Sequence, residues 1–452
     1  MKKYIFLFLT LCFVGCNNAQ QTKNTTLIKN VTIVDVRSGM LIPSQNVIVS
    51  NGKIQQISAA KETEAKHKTI IDGTNKYIMP GLAEMHAHIP HPNNSDNDLI
   101  NETLFLYLSN GITTIRGMLG HPHHLKLREE AKKDSVLSPR IFTSSPSMNG
   151  NSIKTKEKAI AKVKQYKADG YDFLKVHPGI QLEVFNQMVK TANEVGITFA
   201  GHVPVAVGVH NAIKSGYTSI DHIDGFLEGL VPTSANVNPN QNGFFGYNFT
   251  DLADTNRIDE LVQLSKEHKV WIVPTQSLFD RWFAPVNADK LLAAPEMQYM
   301  SKSTLANWKN SQKNYTQNQG FSIEKWAKFN EIRMQLLKKL QDNGQGILLG
   351  SDAPQVMNVP GFSIHHEMQG MKNAGLTNLE IIQSGTINPA TFFNMNDTFG
   401  EIKTGLSADF ILIDANPLEN LTAIKQLSGV MLRGQWLSKE MINAKLKEIT
   451  KK

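Results

Sequence analysis

The sequence predicts an α/β chain, a (β/α)8 TIM-type barrel with a small β-sandwich domain built from both chain ends. Three observations predict it. A helical stretch, a glycine and a short apolar run recur through the middle of the chain. Eight candidate strands can be counted there, the number a closed parallel barrel needs. Both flanks of that region read as β-structure rather than helix. The length of 452 residues suits one large barrel with an appendage. Hydrophobic residues at 41% and charged residues at 19% exclude a disordered chain, a collagen or a coiled coil. The net charge of +7 is spread along the chain, and no basic stripe with interleaved aromatics is present, which speaks against nucleic-acid binding.

The first element is an address. Lys2 and Lys3 precede an apolar run over residues 4–14, too short to span a bilayer as a stable helix. The run ends in Phe13-Val14-Gly15-Cys16, which resembles the cleavage box of bacterial lipoproteins. The resemblance implies that residues 1–15 are a signal peptide and that Cys16 is acylated and becomes the mature amino terminus. Residues 16–26 are polar and suit a flexible tether. Asn17 after the cysteine is not an aspartate-type retention signal, so the expected location is the cell envelope. There the chain would be lipid-anchored in the outer membrane, facing the periplasm or exterior. Cys12 and Cys16 are the two cysteines, so the folded body holds no disulfide and no thiolate metal ligand.

Residues 27–80 read as the amino-terminal part of the β-sandwich domain. Residues 27–36 are mostly apolar and β-branched in their second half, and Asn51-Gly52 between two short runs is a strong hairpin signal. Residues 81–394 read as the barrel. Candidate strands lie at 82–88, 112–115, 140–143, 171–176, 197–200, 217–220, 270–273 and 347–349, many entered through a glycine that can close the preceding helix. Repeated helix–glycine–strand units imply parallel crossovers. A doubly wound open sheet is the alternative, and the absence of Gly-x-Gly-x-x-Gly after the first strand counts against its dinucleotide-binding form. Two stretches break the rhythm: 224–259, rich in Asn, Gly and Pro, and 277–343, which carries Trp282, Trp308 and Trp326. Both lie where loops could cover the barrel mouth. Residues 395–452 turn β-like again and read as the carboxy-terminal part of the β-sandwich.

The chemistry-bearing residues gather at strand ends. His86 and His88 alternate about Ala87, so both leave the first strand on one face. Lys175 is near the end of the fourth strand, His202 follows the fifth, His222 the sixth and Asp352 the eighth. Barrel enzymes place their sites at this end. Imidazole and carboxylate without thiolate suit Zn2+ or a similar divalent ion.

Here the sequence resembles a known family. Met79-Pro80-Gly81-Leu82-Ala83-Glu84-Met85-His86-Ala87-His88 is similar to the first-strand signature of the amidohydrolase superfamily, and Leu349-Gly350-Ser351-Asp352-Ala353 to its eighth-strand signature. Ile387-Asn388-Pro389-Ala390 and Gly405-Leu406-Ser407-Ala408-Asp409-Phe410 resemble its imidazolonepropionase-like and prolidase-like branch. The resemblance implies a binuclear site with two divalent metal ions, expected to be Zn2+. His86 and His88 would hold the more buried ion and His202 and His222 the more exposed one. Lys175 would bridge them as a carbamate formed with carbon dioxide. Asp352 would bind the buried ion and act as the catalytic group that manages the proton of the bridging hydroxide. Arg116 and His366 are candidate substrate-binding residues. Gly117 after Arg116 and Val203-Pro204 after His202 depart from the branch pattern. His121, His123 and His124 read as a surface loop, and His177 has no partner that the sequence names.

The implied activity is hydrolysis of a small amide-type substrate, a dipeptide or Xaa-Pro-like molecule, by attack of a metal-bridging hydroxide. A mononuclear deaminase or cyclic-imidazolone hydrolase is the first alternative, against which Lys175 argues. A lactone or phosphoester hydrolase and a non-catalytic ligand-binding lipoprotein are the others. The partners are a small molecule and, through the lipid, a membrane; an oligomer is left open.

Cys16→Ser is expected to block lipid attachment and to leave a precursor or a released form. Fractionation and labelling with a fatty-acid probe check this, and unchanged processing with retention in the membrane would overturn the lipoprotein reading.

Overall fold

Apolar residues at every second position pair into strands wherever one face can be buried. The structure, a computed structural model, describes residues 23–59, 64–92 and 98–451. Cys16, the signal peptide and most of the tether lie outside them. The strands are β1 (Lys23–Val34), β2 (Leu41–Ser50), β3 (Lys53–Ser58), β4 (His67–Asp72), β5 (Tyr77–Pro80), β6 (Leu82–Ala87), β7 (Ile112–Gly117) and β8 (Arg140–Thr143). They continue with β9 (Phe173–Val176), β10 (Thr198–Gly201), β11 (Ser219–Asp221), β12 (Trp271–Val273), β13 (Phe410–Ile413), β14 (Leu427–Leu432) and β15 (Gln435–Ser438).

Both chain ends build one sheet in the order β15-β14-β13-β5-β1-β2-β3, with β4 also on β1. The β2–β3 hairpin pairs Ser50 with Lys53, and Asn51 and Gly52 both take positive φ, as its two-residue turn demands. The sheet curls so that β3 meets the stretch leading into β13. Lys53 bridges Ser407, and the Ile54 amide donates to the Leu406 carbonyl at 2.9 Å. Ile28, Val31, Val47, Ile54, Ile78, Phe410, Leu412 and Met431 fill the interior of this curl.

The parallel strands form two arcs, β6-β7-β8 and β9-β10-β11-β12. Single bridges join them into a ring. Ser144 pairs with Phe173 and Met148 with Val176 across one gap, and Ile272 pairs with Ile347 beyond β12. The eighth stave then returns to the first: the Met85 amide donates to the Leu349 carbonyl and the His88 amide to the Ala353 carbonyl, both at 2.8 Å. The outer helices bury one stripe each; Leu182–Val195 turns Val184, Phe185, Met188, Thr191 and Ala192 inward, the spacing of one helical face. No helix among the described residues is long and apolar enough to cross a membrane.

The two stretches that break the repeat pack on each other. The first becomes a run of short turns, and the Tyr247 hydroxyl donates to the Ser322 carbonyl and accepts from the Ser322 amide, each at 3.0 Å. The chain end holds a helix, Lys439–Glu448, that the β-like reading of residues 395–452 did not include. Beyond it Ile449 packs in a cluster with Phe105, Leu106 and Val356 of the barrel.

Asp409 joins the two layers. It is buried, accepts from Arg140 of β8 at 3.0 Å and from Ser407 Oγ at 2.8 Å, and takes the Arg433 amide at 2.8 Å. Hydrogen bonds to a buried charged group are worth about 1.5–3 kcal/mol. Asp409→Ala is therefore expected to lower the unfolding free energy by about 2–3 kcal/mol in urea denaturation. Asp409→Asn, which keeps an acceptor, is expected to lose less.

Candidate metal centre

The six strand-end residues come together at one end of the barrel. β6 delivers His86, and His88 follows one residue past its end. His88 Nε2 lies 2.6 Å and His86 Nε2 3.3 Å from Asp352 Oδ1. Among the described residues, His86, His88 and Asp352 form a group whose ligand atoms all lie within 4.8 Å of one another. His222, just past β11, continues the cluster, its ring centroid 4.7 Å from that of His86. His202, just past β10, lies 4.6 Å beyond, centroid to centroid. Lys175, fully buried on β9, faces the same space.

Asp221, the residue before His222, links these groups and was not read from the sequence. Its Oδ2 lies 3.4 Å from both Lys175 Nζ and His86 Nδ1, and its Oδ1 accepts from Arg116 at 3.0 Å. Burial opposes its ionisation, but the Arg116 and Lys175 charges outweigh that and hold the carboxyl below the usual range. Burial also pulls the Lys175 pKa below the ordinary lysine value, against the opposing pull of Asp221. Burial pushes His86 and His222 well below the ordinary imidazole value, so both rings are neutral at pH 7. Asp172, a conceivable lysine partner by proximity in sequence, binds Arg128 at 3.0 Å instead.

The outer ring nitrogens are set by partners behind them. Thr275 Oγ1 donates to the Pro274 carbonyl, so it accepts from His222 Nδ1 at 2.8 Å and leaves His222 Nε2 with a lone pair. Asp224 Oδ2 takes His202 Nδ1 at 2.9 Å and the Val203 amide at 3.1 Å, with the same consequence for His202 Nε2. His86 Nδ1 is buried without a hydrogen-bond partner. Neutral imidazoles with free lone pairs, a carboxylate and no thiolate fit Zn2+ or a similar divalent ion. The backbone pays for this convergence: His222, Ile223, Thr275 and Asp352 all take left-handed φ between 48° and 66°. Such residues cluster at functional sites, where surrounding structure enforces them.

Two expected site residues lie elsewhere. Arg116 does not face substrate space. It is fully buried, and its guanidinium is spent on the Met85 carbonyl, Ser219 and Asp221 inside the barrel. His366 lies in a separate cavity of about 470 Å3 lined by Glu296, Tyr299, Phe362 and Ile442, its Nε2 2.8 Å from Glu296. Helical phase turns it there, away from the strand ends. Conversely, His177 stacks on His202 at 5.2 Å between centroids. Its parity with Lys175 was the signal available in the sequence. Phe245, 5.4 Å from the His222 ring, had no such signal.

This architecture agrees with the comparisons with known proteins. Residues 77–437 match the model of the amidohydrolase family. The chain belongs to that family. Adenine deaminase 2 of Shouchella clausii is 24% identical over 302 residues, 60% of this chain, and the chain spans only 49% of that protein's length. The structure of a bottromycin amidohydrolase superposes with a TM-score of 0.73 at 19% identity, covering 95% of this chain and 91% of that one. A Xaa-Pro dipeptidase structure with methionine in its active site gives 0.64 at 18%, covering 92% and 100%.

Beneath His86, Glu84 is fully buried, accepts the Ser351 amide at 2.7 Å and lies 2.6 Å from Ser351 Oγ. Burial raises its pKa from the ordinary 4.5 to about 8. A raised folded-state pKa means stability that is present below the ordinary value and lost as pH climbs through the folded one. The melting temperature of metal-free protein is therefore expected to fall between about pH 5 and 8 through this group. Glu84→Gln is expected to flatten part of that slope, measured by calorimetry of both proteins across the range.

Proposed function

We propose that this chain is a metal-dependent hydrolase of carbon–nitrogen bonds whose substrate is a small amide, a dipeptide or Xaa-Pro-like molecule. The observation that carries this reading is the convergence of His86, His88, Asp352, Lys175, His202 and His222 at the carboxy-terminal end of the barrel strands. His86, His88 and Asp352 would hold one divalent ion, expected to be Zn2+. His202 and His222 would hold a second, with Lys175 as a carbamate between them. Two such ions supply Lewis acidity toward a carbonyl and lower the pKa of water towards about 7.

The protein's own groups account for the rest. Asp352 Oδ1 is occupied by two imidazoles, whereas Oδ2 lies 4.0 Å from His222 Nδ1 and is the freer oxygen. Asp352 Oδ2 therefore takes the proton of the attacking water and passes it to the departing amine, a general acid–base role that balances the hydrolysis. Thr275 and Asp224 keep the His222 and His202 rings in the tautomers that present lone pairs. The family, and relatives whose names include a Xaa-Pro dipeptidase, support an amide substrate. The lipid on Cys16 and placement in the outer membrane belong to the same proposal.

One observation favours a second reading, a one-metal deaminase. Lys175 Nζ lies 3.4 Å from Asp221, so its ammonium has an anionic partner without a carbamate. Deaminase relatives favour it too.

Metal analysis separates the two. The amide reading expects about two ions per chain in wild type, the deaminase reading about one. Lys175→Ala is expected to lose most activity and at least one ion, with partial rescue by short carboxylic acids that occupy the bridge. Two ions and full activity in Lys175→Ala without added acid would overturn the carbamate model.

A further inference from the structure

We infer that Phe245 selects the substrate, favouring molecules that carry a large apolar, preferably aromatic, group on the His202–His222 side of the scissile bond. This rests on the amide reading above and goes one step beyond it. The ring of Phe245 lies 6.0 Å from that of His202, nearly parallel at 26°, and 5.4 Å from that of His222. It therefore stands beside both rings of the His202–His222 pair, as His177 does beside His202 alone. Behind it stands a continuous aromatic wall. Phe279 meets Phe245 at 5.2 Å, Phe283 at 6.1 Å and Phe244 at 4.8 Å. Phe244 in turn meets Phe283 at 4.3 Å and Trp282 at 5.9 Å. Edge-to-face and offset contacts of this kind welcome a further ring.

The wall is held in place. Phe245 sits at φ 51° and ψ 40°, a left-handed conformation that a bulky residue adopts only under constraint. Gly246 follows at φ 81°, where an added Cβ would lie 2.8 Å from Glu228 Oε2 and 2.9 Å from Leu227 Cδ2, so this turn packs tightly on the segment after β11. Tyr247, next in the chain, is tied to Ser322 by two hydrogen bonds. The buried cation behind this wall is not available to a charged substrate group: Arg333 stacks on Phe279 at 3.3 Å, and its nitrogens already donate to the His222 carbonyl, the Pro274 carbonyl and Gln276. An aromatic group laid along Phe245 would meet ring faces and lose little.

The test uses full zinc-loaded protein, wild type and Phe245→Ala, with Phe245→Tyr as the conservative control. Steady-state kinetics are measured on Phe-Ala, Ala-Phe, Ala-Ala, Asp-Ala and Ala-Asp. Binding of N-acetyl-L-phenylalanine and N-acetyl-L-aspartate is followed by tryptophan fluorescence, with zinc content and melting temperature recorded alongside. The expected result is a preference of about tenfold or more in kcat/KM for one phenylalanine dipeptide, and tighter binding of the phenylalanine derivative. Phe245→Ala should lose most of that preference through KM, with zinc content and melting temperature unchanged, and Phe245→Tyr should keep it. Cleavage of none of the dipeptides would overturn the amide reading and leave the binding measurement to decide this one. Equal or weaker binding of the phenylalanine derivative, or a preference that survives Phe245→Ala, would overturn the role of Phe245.

Discussion

The constraint on which the site depends is charge buried inside a closed barrel. Arg116, Lys175 and Asp221 are all inaccessible to solvent, and one carboxylate faces both cations at 3.0 and 3.4 Å. Burial disfavours the Lys175 ammonium, and Asp221 and Asp352 oppose that only in part. The lysine is the group that can yield, because arginine keeps its proton under nearly all conditions and a buried lysine loses its own more readily. A neutral lysine amine can then capture carbon dioxide and become an anion. The arginine–aspartate pair thus does more than fill the barrel: it fixes where Asp221 sits, and Asp221 fixes what Lys175 and His86 face.

A second layer of constraint sets the histidines. The His222 and His202 rings are each held at Nδ1, by Thr275 and Asp224, so that Nε2 is the nitrogen with a lone pair. Each partner stands at the end of the strand next to that of the ring it holds, within the arc β9-β10-β11-β12. Closure rests on single bridges between β8 and β9 and on either side of the eighth stave. The left-handed residues at His222, Thr275 and Asp352 show that backbone comfort yields to side-chain placement at this rim. The insertions then add what the barrel cannot supply, an apolar wall over a polar centre.

Much of this was legible in the sequence. Strand positions followed from short apolar runs behind glycines, and the parity of His86 and His88 about Ala87 placed both on one face without any tertiary knowledge. The first- and eighth-strand motifs marked the two ends of the ring that the Met85–Leu349 hydrogen bond closes. The curl joining both chain ends was legible only as β-character at each end, since neither end contains its partner strands. The terminal helix 439–448 was missed because its amphipathic face is narrow, with Ile442 its buried residue.

By itself the sequence determined the strand order, the end of the barrel that carries chemistry and the six groups that gather there, because alternation with period two and helix–glycine–strand repeats are local properties. Tertiary structure alone decided who faces whom. Arg116 turned inward to Asp221 rather than toward substrate, 105 residues away in sequence, and His366 turned to Glu296 in a separate cavity. Phe245 reached the His202–His222 pair through a long insertion whose path no periodicity encodes. Such pairings depend on how a curved sheet closes and where its loops fold back, and that geometry exists only once distant strands have met.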